Sequence, residues 1–432
     1  MQERGYTLTG ITKGLRPYSN TPVNKEELVD CFNLIPRPEG LIARPDISQS
    51  VVGAVLDWPF PQVFIGHTHW LLCTRNKIYS LDGSLTPTLE LTVTAGGTWH
   101  FADFFTYGIL TNGTVTVVYN TISASWEVCD GVLVPTLTTV ANFNGQIVGA
   151  SGNTFKWGHI GYASFVIDQS NVAGERPMPW SGEIYKILPL GPGLVIYGSN
   201  GIGLIKFRET VPGLVKILRY GILSREAVGG DETLHTFIDT AGNMRQITED
   251  FQVSGPIYQE FFSPMIGNDV VVSYNPQDGD FYISDGTVGF IKTAEGLGET
   301  NQLPSTIATL AGSLLGVATI GSAEVTIETD SLDFGVRSRK TVDITEIGHV
   351  STGIVQVSIG YRLASTDTFQ YTDWVDVNAE GIVTLPISGI EFKVRVKCST
   401  HVGFKLHYIT LRIKFDDSRA NRGISNANKA TA

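Results

Sequence analysis

The chain has 432 residues, 42% of them hydrophobic and only 17% charged, with 47 glycines and 19 prolines. It is too long for one ordinary domain and too apolar for disorder, and its frequent turn residues exclude a coiled coil in favour of an all-β chain with short loops. The formal net charge of −11 disfavours a general grip on DNA phosphates, which requires clustered cations. The acid is uneven: residues 1–321 hold 18 basic against 29 acidic residues, and residues 322–432 hold 13 of each.

The opening MQERGYTLTG lacks the apolar core of a secretory signal, and no run approaches the ~18 apolar residues of a membrane span, so no membrane insertion is expected. Residues 1–48 read as an N-terminal arm. Asn24 to Asp30 suits one short helical turn, and the Pro- and Gly-rich CFNLIPRPEGLIARPD that follows has too little apolar content to pack on itself. This arm is expected to lie along the propeller described next or along a neighbouring subunit.

Residues 49–321 carry a repeat. Short polar turns at Asn76, Gly113, Gly152, Gly201, Gly242, Gly286 and Gly321 follow one another at 37, 39, 49, 41, 44 and 35 residues, each preceded by a short apolar run. Strand, Gly/Asn turn and strand at about 40 residues fit the four-stranded blade of a propeller. Asn-Gly and Asp-Gly pairs tolerate the positive φ of tight hairpins. Six or seven blades are expected, against an irregular large β-sandwich. From about residue 322 the strands lengthen and alternate strictly, as in Phe392–Cys398, where Lys393, Arg395 and Lys397 share one face. Residues 322–417 therefore read as a C-terminal antiparallel β-sandwich, and the apolar-poor 418–432 as a flexible tail.

Chemistry is sparse. Gly149–Gly152 and Gly312–Gly316 miss the spacing of a nucleophile elbow, and Gly201-Ile202-Gly203 lacks the third glycine of a dinucleotide site. His67 and His69 alternate as if along a strand, without a third metal ligand. Asn275–Asp280 (NPQDGD) lacks the ligand count of a calcium loop and reads as a hairpin turn. Cys31, Cys73, Cys129 and Cys398 are scattered, as expected of reduced and mostly buried thiols. No catalytic, metal or cofactor site is expected.

Three stretches together resemble the β-propeller tail hub, or tail nozzle, proteins of short-tailed bacteriophages, which stabilise packaged DNA. Asn33-Leu34-Ile35-Pro36, Gly40-Leu41 and Arg44-Pro45 are similar to that family's leading N-x-x-P … G … R-x-P passage, with Asp46 departing from a more usual glycine. Val195–Asn200, Arg219–Ile222 and Thr236–Asp239 resemble its blade strand, Gly-Ser turn and glycine-containing link. Ser331–Gly335, with the strands near Phe392 and Phe404–Leu406, looks like its C-terminal β domain. The resemblance implies a virion structural protein, assembled in the host cytoplasm, forming a hexameric ring below the portal and adaptor and bearing distal tail or tailspike proteins. Packaged DNA passes through it without specific binding and is retained until ejection. Arg16, Lys25, Arg37 and Arg44 in the arm, and the cluster Arg337, Arg339 and Lys340, are the expected assembly contacts. The alternative is a receptor- or carbohydrate-binding propeller of a phage tail, using Trp70, Trp99, Trp126, Trp157 or Trp180, of which Trp180 on its Pro-rich loop is the best exposed candidate.

Overall fold

Tight turns set the architecture. Gly113 and Gly242, at φ 82° and 74°, occupy conformations open chiefly to glycine, and each reverses the chain between two antiparallel strands. A computed structural model of the chain describes residues 3–18, 27–49, 56–104, 106–208, 211–310, 313–319 and 321–415. Lys25 and the expected tail at 418–432 lie outside them. The chain divides into two compact units, one of residues 47–289 and 302–320, the other of residues 1–46, 290–301 and 321–432.

The first unit is a β-propeller. Four-stranded antiparallel sheets form blades 1 to 4, spanning Gln62–Thr92, His100–Val128, Thr139–Pro177 and Ile184–Leu218. Blade 5 has three strands within Val228–Thr248, and the antiparallel pair Val271–Asn275 and Asp280–Ser284 belongs to blade 6. In blade 7, Pro304–Leu310 and Ser313–Ala318 are joined by Ser48–Gln49, which pairs in parallel with Leu315 and Gly316. First strands pack side by side from blade 2 through blade 4 and from blade 5 through blade 7 to blade 1. The ring closes between blades 7 and 1, where Thr306 Oγ1 accepts from Val63 N at 3.1 Å and Ser305 Oγ donates to Pro61 O at 2.7 Å. Apolar cores fill the seams: Leu71, Trp99 and Leu110 between blades 1 and 2, Val140 and Ile147 with Phe104 between 2 and 3, and Phe155, Ile187 and Ile196 between 3 and 4. Seven blades answer the expected six or seven. All seven predicted turns follow the second strand of a blade; six lead into its third strand, whereas Gly321 leaves blade 7, whose third strand is supplied by residues 48–49.

The second unit holds two sheets. One runs Leu34–Arg37, Gly40–Ala43, Lys405–Phe415, Lys340–Val350, Ile382–Gly389, with Glu3–Leu8 also on Lys405–Phe415. The other runs Leu297–Thr300, Leu28–Phe32, Val325–Thr329, Glu391–Cys398, Val355–Arg362. Period-two burial is complete in Phe392, Val394, Val396 and Cys398 and in Ile409, Leu411, Ile413 and Phe415. Two expectations are corrected here. Residues 3–46 are not an arm: four of their strands are built into the C-terminal sheets, so residues 322–417 are only part of that unit. Leu28–Asp30 is strand rather than helix, since Leu28 and Cys31 are inward positions beside Thr329 and Ile327.

Candidate functional site

The seven inner strands leave an axial bore, with cavities of about 330 and 410 Å³ along it. Glu226, in the link Leu223–Glu226 that enters blade 5, lines both cavities. Ser224 Oγ donates to Val270 O at 2.6 Å, and Glu226 O accepts from Val272 N at 2.8 Å, tying the link to blade 6. Arg225 turns to blade 4, donating Nη2 to Glu183 at 3.1 Å, and its guanidinium lies so close to Gly113 that a Cβ there would sit 2.6 Å from Nη1. Glu226 reaches across the axis. Its Oε1 accepts from His100 Nε2 of blade 2 at 2.8 Å, and its Oε2 from Lys186 Nζ of blade 4 at 2.5 Å.

Glu226 and His100 are both buried. A carboxylate only accepts, so the proton of the neutral imidazole is on Nε2. Burial lowers the His100 pKa against the opposing pull of Glu226, and the ring stays neutral. Burial also opposes ionisation of Glu226, but the Lys186 charge and the hydrogen bonds from His100 and Lys186 outweigh it and hold the carboxyl far below its usual range. An acid–base catalyst needs a pKa near the working pH; this cluster holds its charge and serves as a brace fastened to blades 2, 4 and 6. Sequence reasoning missed it. Glu226 stands 126 residues from His100 and 40 from Lys186, and no local pattern marks it.

The basic residues singled out from the sequence lie in the second unit and divide sharply. Arg44 is buried, with Nε on Asn33 Oδ1 at 3.0 Å and Nη1 on Asp46 at 2.7 Å; Asn33 Nδ2 donates to Glu324 O at 2.7 Å. These bonds clamp the base of the hairpin Leu34–Arg37/Gly40–Ala43, and the non-glycine residue at 46 also meets His401 Nε2 at 3.1 Å. Arg16 pairs with Asp330 at 2.9 Å. Lys340 is fully buried, its ammonium donating to Val336, Ser338 and Ile390 carbonyls at 2.7, 3.1 and 2.5 Å, and burial lowers its pKa to about 8. Arg44 and Lys340 are thus internal clips rather than assembly contacts, because their donors are consumed within the unit. Arg337 and Arg339 are exposed, and Arg37 is half-buried at its strand end. The parity signal was present: Lys340 shares its strand face with buried Val342, whereas Arg337 and Arg339 precede the strand.

Other candidates resolve into structure. His67 and His69 sit on the turn between the strands Gln62–Ile65 and Trp70–Cys73, with His69 packed on Tyr119 and Trp126. Asn275–Asp280 is a hairpin turn closed by Asn275 Nδ2 on Asp278 at 2.9 Å. Trp180 is not an exposed platform: its ring lies on Gly198, Gly201 and Gly203, where a Cβ on Gly201 would approach it to 2.4 Å. Trp99 and Trp126 are buried. The four cysteines are free thiols, three of them buried, and burial pushes Cys129 up to about 12. Among the described residues no group of three or more His, Cys, Asp or Glu is placed to hold a metal.

No protein-family model matches the chain, and no curated protein matches it in sequence. Among solved structures it is similar to PorZ, a bacterial surface component of the type-IX secretion system of Porphyromonas gingivalis, at 8% identity and a TM-score of 0.39, covering 67% of this chain and 37% of PorZ. The chain thus spans little more than a third of PorZ. It is similar to BamB from Moraxella catarrhalis at 8% identity and TM-score 0.37, covering 65% of this chain and 96% of BamB. Hsv2 from Kluyvelomyces marxianus follows at 9% identity and TM-score 0.32, covering 54% and 68%. The closed ring of blades described above defines the class: an all-β propeller protein with a second β unit.

Proposed function

We propose that the chain is a bacteriophage tail nozzle, a virion structural protein that rings the DNA exit path below the portal and adaptor and helps retain the packaged genome. One observation supports this above others. The residues that carry the resemblance near the start of the chain bond to one another, Asn33 to Arg44 across the base of one hairpin, so they act as a structural unit rather than a chance composition. A propeller closed by side-chain bonds between its first and last blades suits a mechanically loaded wall. The acidic excess of residues 1–321 repels phosphate, which lets DNA slide past without the affinity that counterion release would supply. Subunits contact one another and the adaptor through Arg37, Arg337 and Arg339.

Electron microscopy of particles carrying the chain tests this. Rings of a defined symmetry, six-fold in this reading, should appear at the tail, and particles lacking the protein should lose their DNA. The double substitution R337E/R339E should leave the soluble chain folded but keep it out of particles. Normal incorporation of that variant, or DNA-filled particles without the protein, would overturn the reading, as would polysaccharide turnover abolished by one carboxylate substitution.

A further inference from the structure

The propeller carries two exposed apolar surfaces of opposite charge. The first lies across blades 2 and 3. Phe165 N donates to Leu133 O at 2.8 Å, which joins the connection of residues 129–138 to the loop of residues 158–173. Val134, Leu137 and Phe165 sink into the seam between these blades and pin both segments from behind. In front, Val132, Leu133, Tyr162, Val166 and Ile167 form a platform, each 42–68% exposed. The two segments hold Asp130 and Asp168 and no lysine or arginine. Both carboxylates are exposed and accept from backbone N–H groups of their own turns, those of Val132 and Ser170, rather than from a cation.

The second surface is the outermost strand of blade 4, Val211–Leu218, where Val211, Val215 and Ile217 are 44–63% exposed. Residues 211–222 hold Lys216 and Arg219 and no carboxylate. Both cations are exposed. Pro212, which has no N–H, and the register shift between Leu204 and Ile205 interrupt this edge, so it meets a partner with side chains rather than by adding a strand.

Exposed apolar patches mark contact surfaces, and here the charges choose the partner. An anionic bilayer or a nucleic acid is repelled by Asp130 and Asp168 and finds no cation on the platform. Two platforms set face to face oppose like charges, as do two blade 4 strands. A platform against a blade 4 strand buries aliphatic side chains on both sides and matches two carboxylates with two cations. Within one chain both surfaces are open to solvent, so the contact joins two copies. Because it uses a different surface on each, it leaves a free platform at one end and a free strand at the other, and continues head to tail.

We propose that the platform on blades 2 and 3 of one copy seats the outer strand of blade 4 of another, with Asp130 and Asp168 meeting Lys216 and Arg219. The tail reading places its subunit contacts at Arg37, Arg337 and Arg339; this contact goes beyond it and stands without it.

Sedimentation velocity of the full chain from ~1 to ~100 μM tests it. The wild type should grow into species larger than a dimer as concentration rises. Leu133→Asp/Ile167→Asp spoils the platform and Val215→Asp/Ile217→Asp spoils the strand. Each should weaken association about tenfold or more, with unchanged thermal unfolding showing that the fold persists. Mixed in equal amounts, these two variants retain one intact surface each and should form a dimer that grows no further. Lys216→Glu/Arg219→Glu should weaken association about tenfold, and adding Asp130→Lys/Asp168→Lys should restore it. A monomeric wild type at ~100 μM, wild-type association in both apolar variants, or a mixture that stays monomeric would overturn the proposal. R337E/R339E should associate as the wild type does. Loss of association in that variant alone would overturn this contact and leave the tail reading standing, whereas DNA-filled particles without the protein would do the reverse.

Discussion

Glu226 shows how much one side chain carries. Its two oxygens engage His100 and Lys186, and its backbone holds blade 6. Glu226→Gln leaves a half-buried ammonium without its counter-charge and should cost about 3–5 kcal/mol, read from denaturant midpoints. A second prediction concerns pH. His235 is buried, with Nε2 donating to Pro189 O and Nδ1 accepting from the Tyr197 hydroxyl, both at 2.9 Å, and burial lowers its pKa to about 4. The unfolded chain protonates this ring near pH ~6.5 while the folded chain does not, so its share of stability is present above that pH and is lost as pH falls toward about 4. The loss is about 3 kcal/mol, and His100 acts in the same direction. Unfolding free energies measured from pH 7 to 4 should fall accordingly, and less steeply in His235→Gln. Neither histidine announces itself in the sequence, because the burial that shifts them comes from strands far along the chain. Lys340 was legible only by parity: the run of basic residues suggested surface, while alternation with Val342 pointed inward.

At the scale of elements, the turn spacing exposed the blades because each hairpin is local, and a Gly or Asn at its tip is a direct demand of the backbone. What the sequence hid were pairings between distant segments. Residues 48–49 complete blade 7 only because the ring brings them beside Leu315 and Gly316. The seam there is testable. Thr306→Val removes the hydroxyl that accepts from buried Val63 N, and should destabilise the chain by about 1–3 kcal/mol in thermal or urea unfolding. In blade 4, the glycines that failed as a nucleotide loop have a packing reason. Gly201→Ala drives a methyl into the Trp180 ring and should cost about 1–3 kcal/mol by the same measurement. The Trp180 indole looked exposed for a related reason: its loop is rich in proline, and loop composition is silent on which backbone a ring lies against.

At the scale of the whole molecule, the texture change near residue 322 marked a real boundary but not a complete unit. The expressed segment 322–417 lacks the strands Glu3–Leu8, Leu28–Phe32, Leu34–Arg37 and Gly40–Ala43 and should be unfolded by circular dichroism, with co-expressed residues 1–46 restoring β structure. A soluble 322–417 fragment with a cooperative melt would refute that division. The acidic balance makes a further demand: the purified chain should show negligible affinity for duplex DNA at ~150 mM salt, measured by fluorescence anisotropy, since steep salt-dependent binding needs several phosphate contacts.

The shared ownership of the second unit by both ends of the chain also imposes a schedule. Strands within residues 3–46 leave the ribosome before the propeller, yet most of their partners lie beyond residue 321. At about 5–20 residues per second, roughly a quarter to a full minute of synthesis separates the two. Throughout that interval Leu28, Cys31, Leu34 and Ile35, all buried in the finished fold, have no sheet to enter, while the blades of the propeller emerge one hairpin at a time beside their neighbours. The propeller is therefore the part of the molecule built to fold during translation. The second unit closes last, around strands made before its other half, and a chaperone that shields short apolar segments has its longest opportunity at residues 28–35.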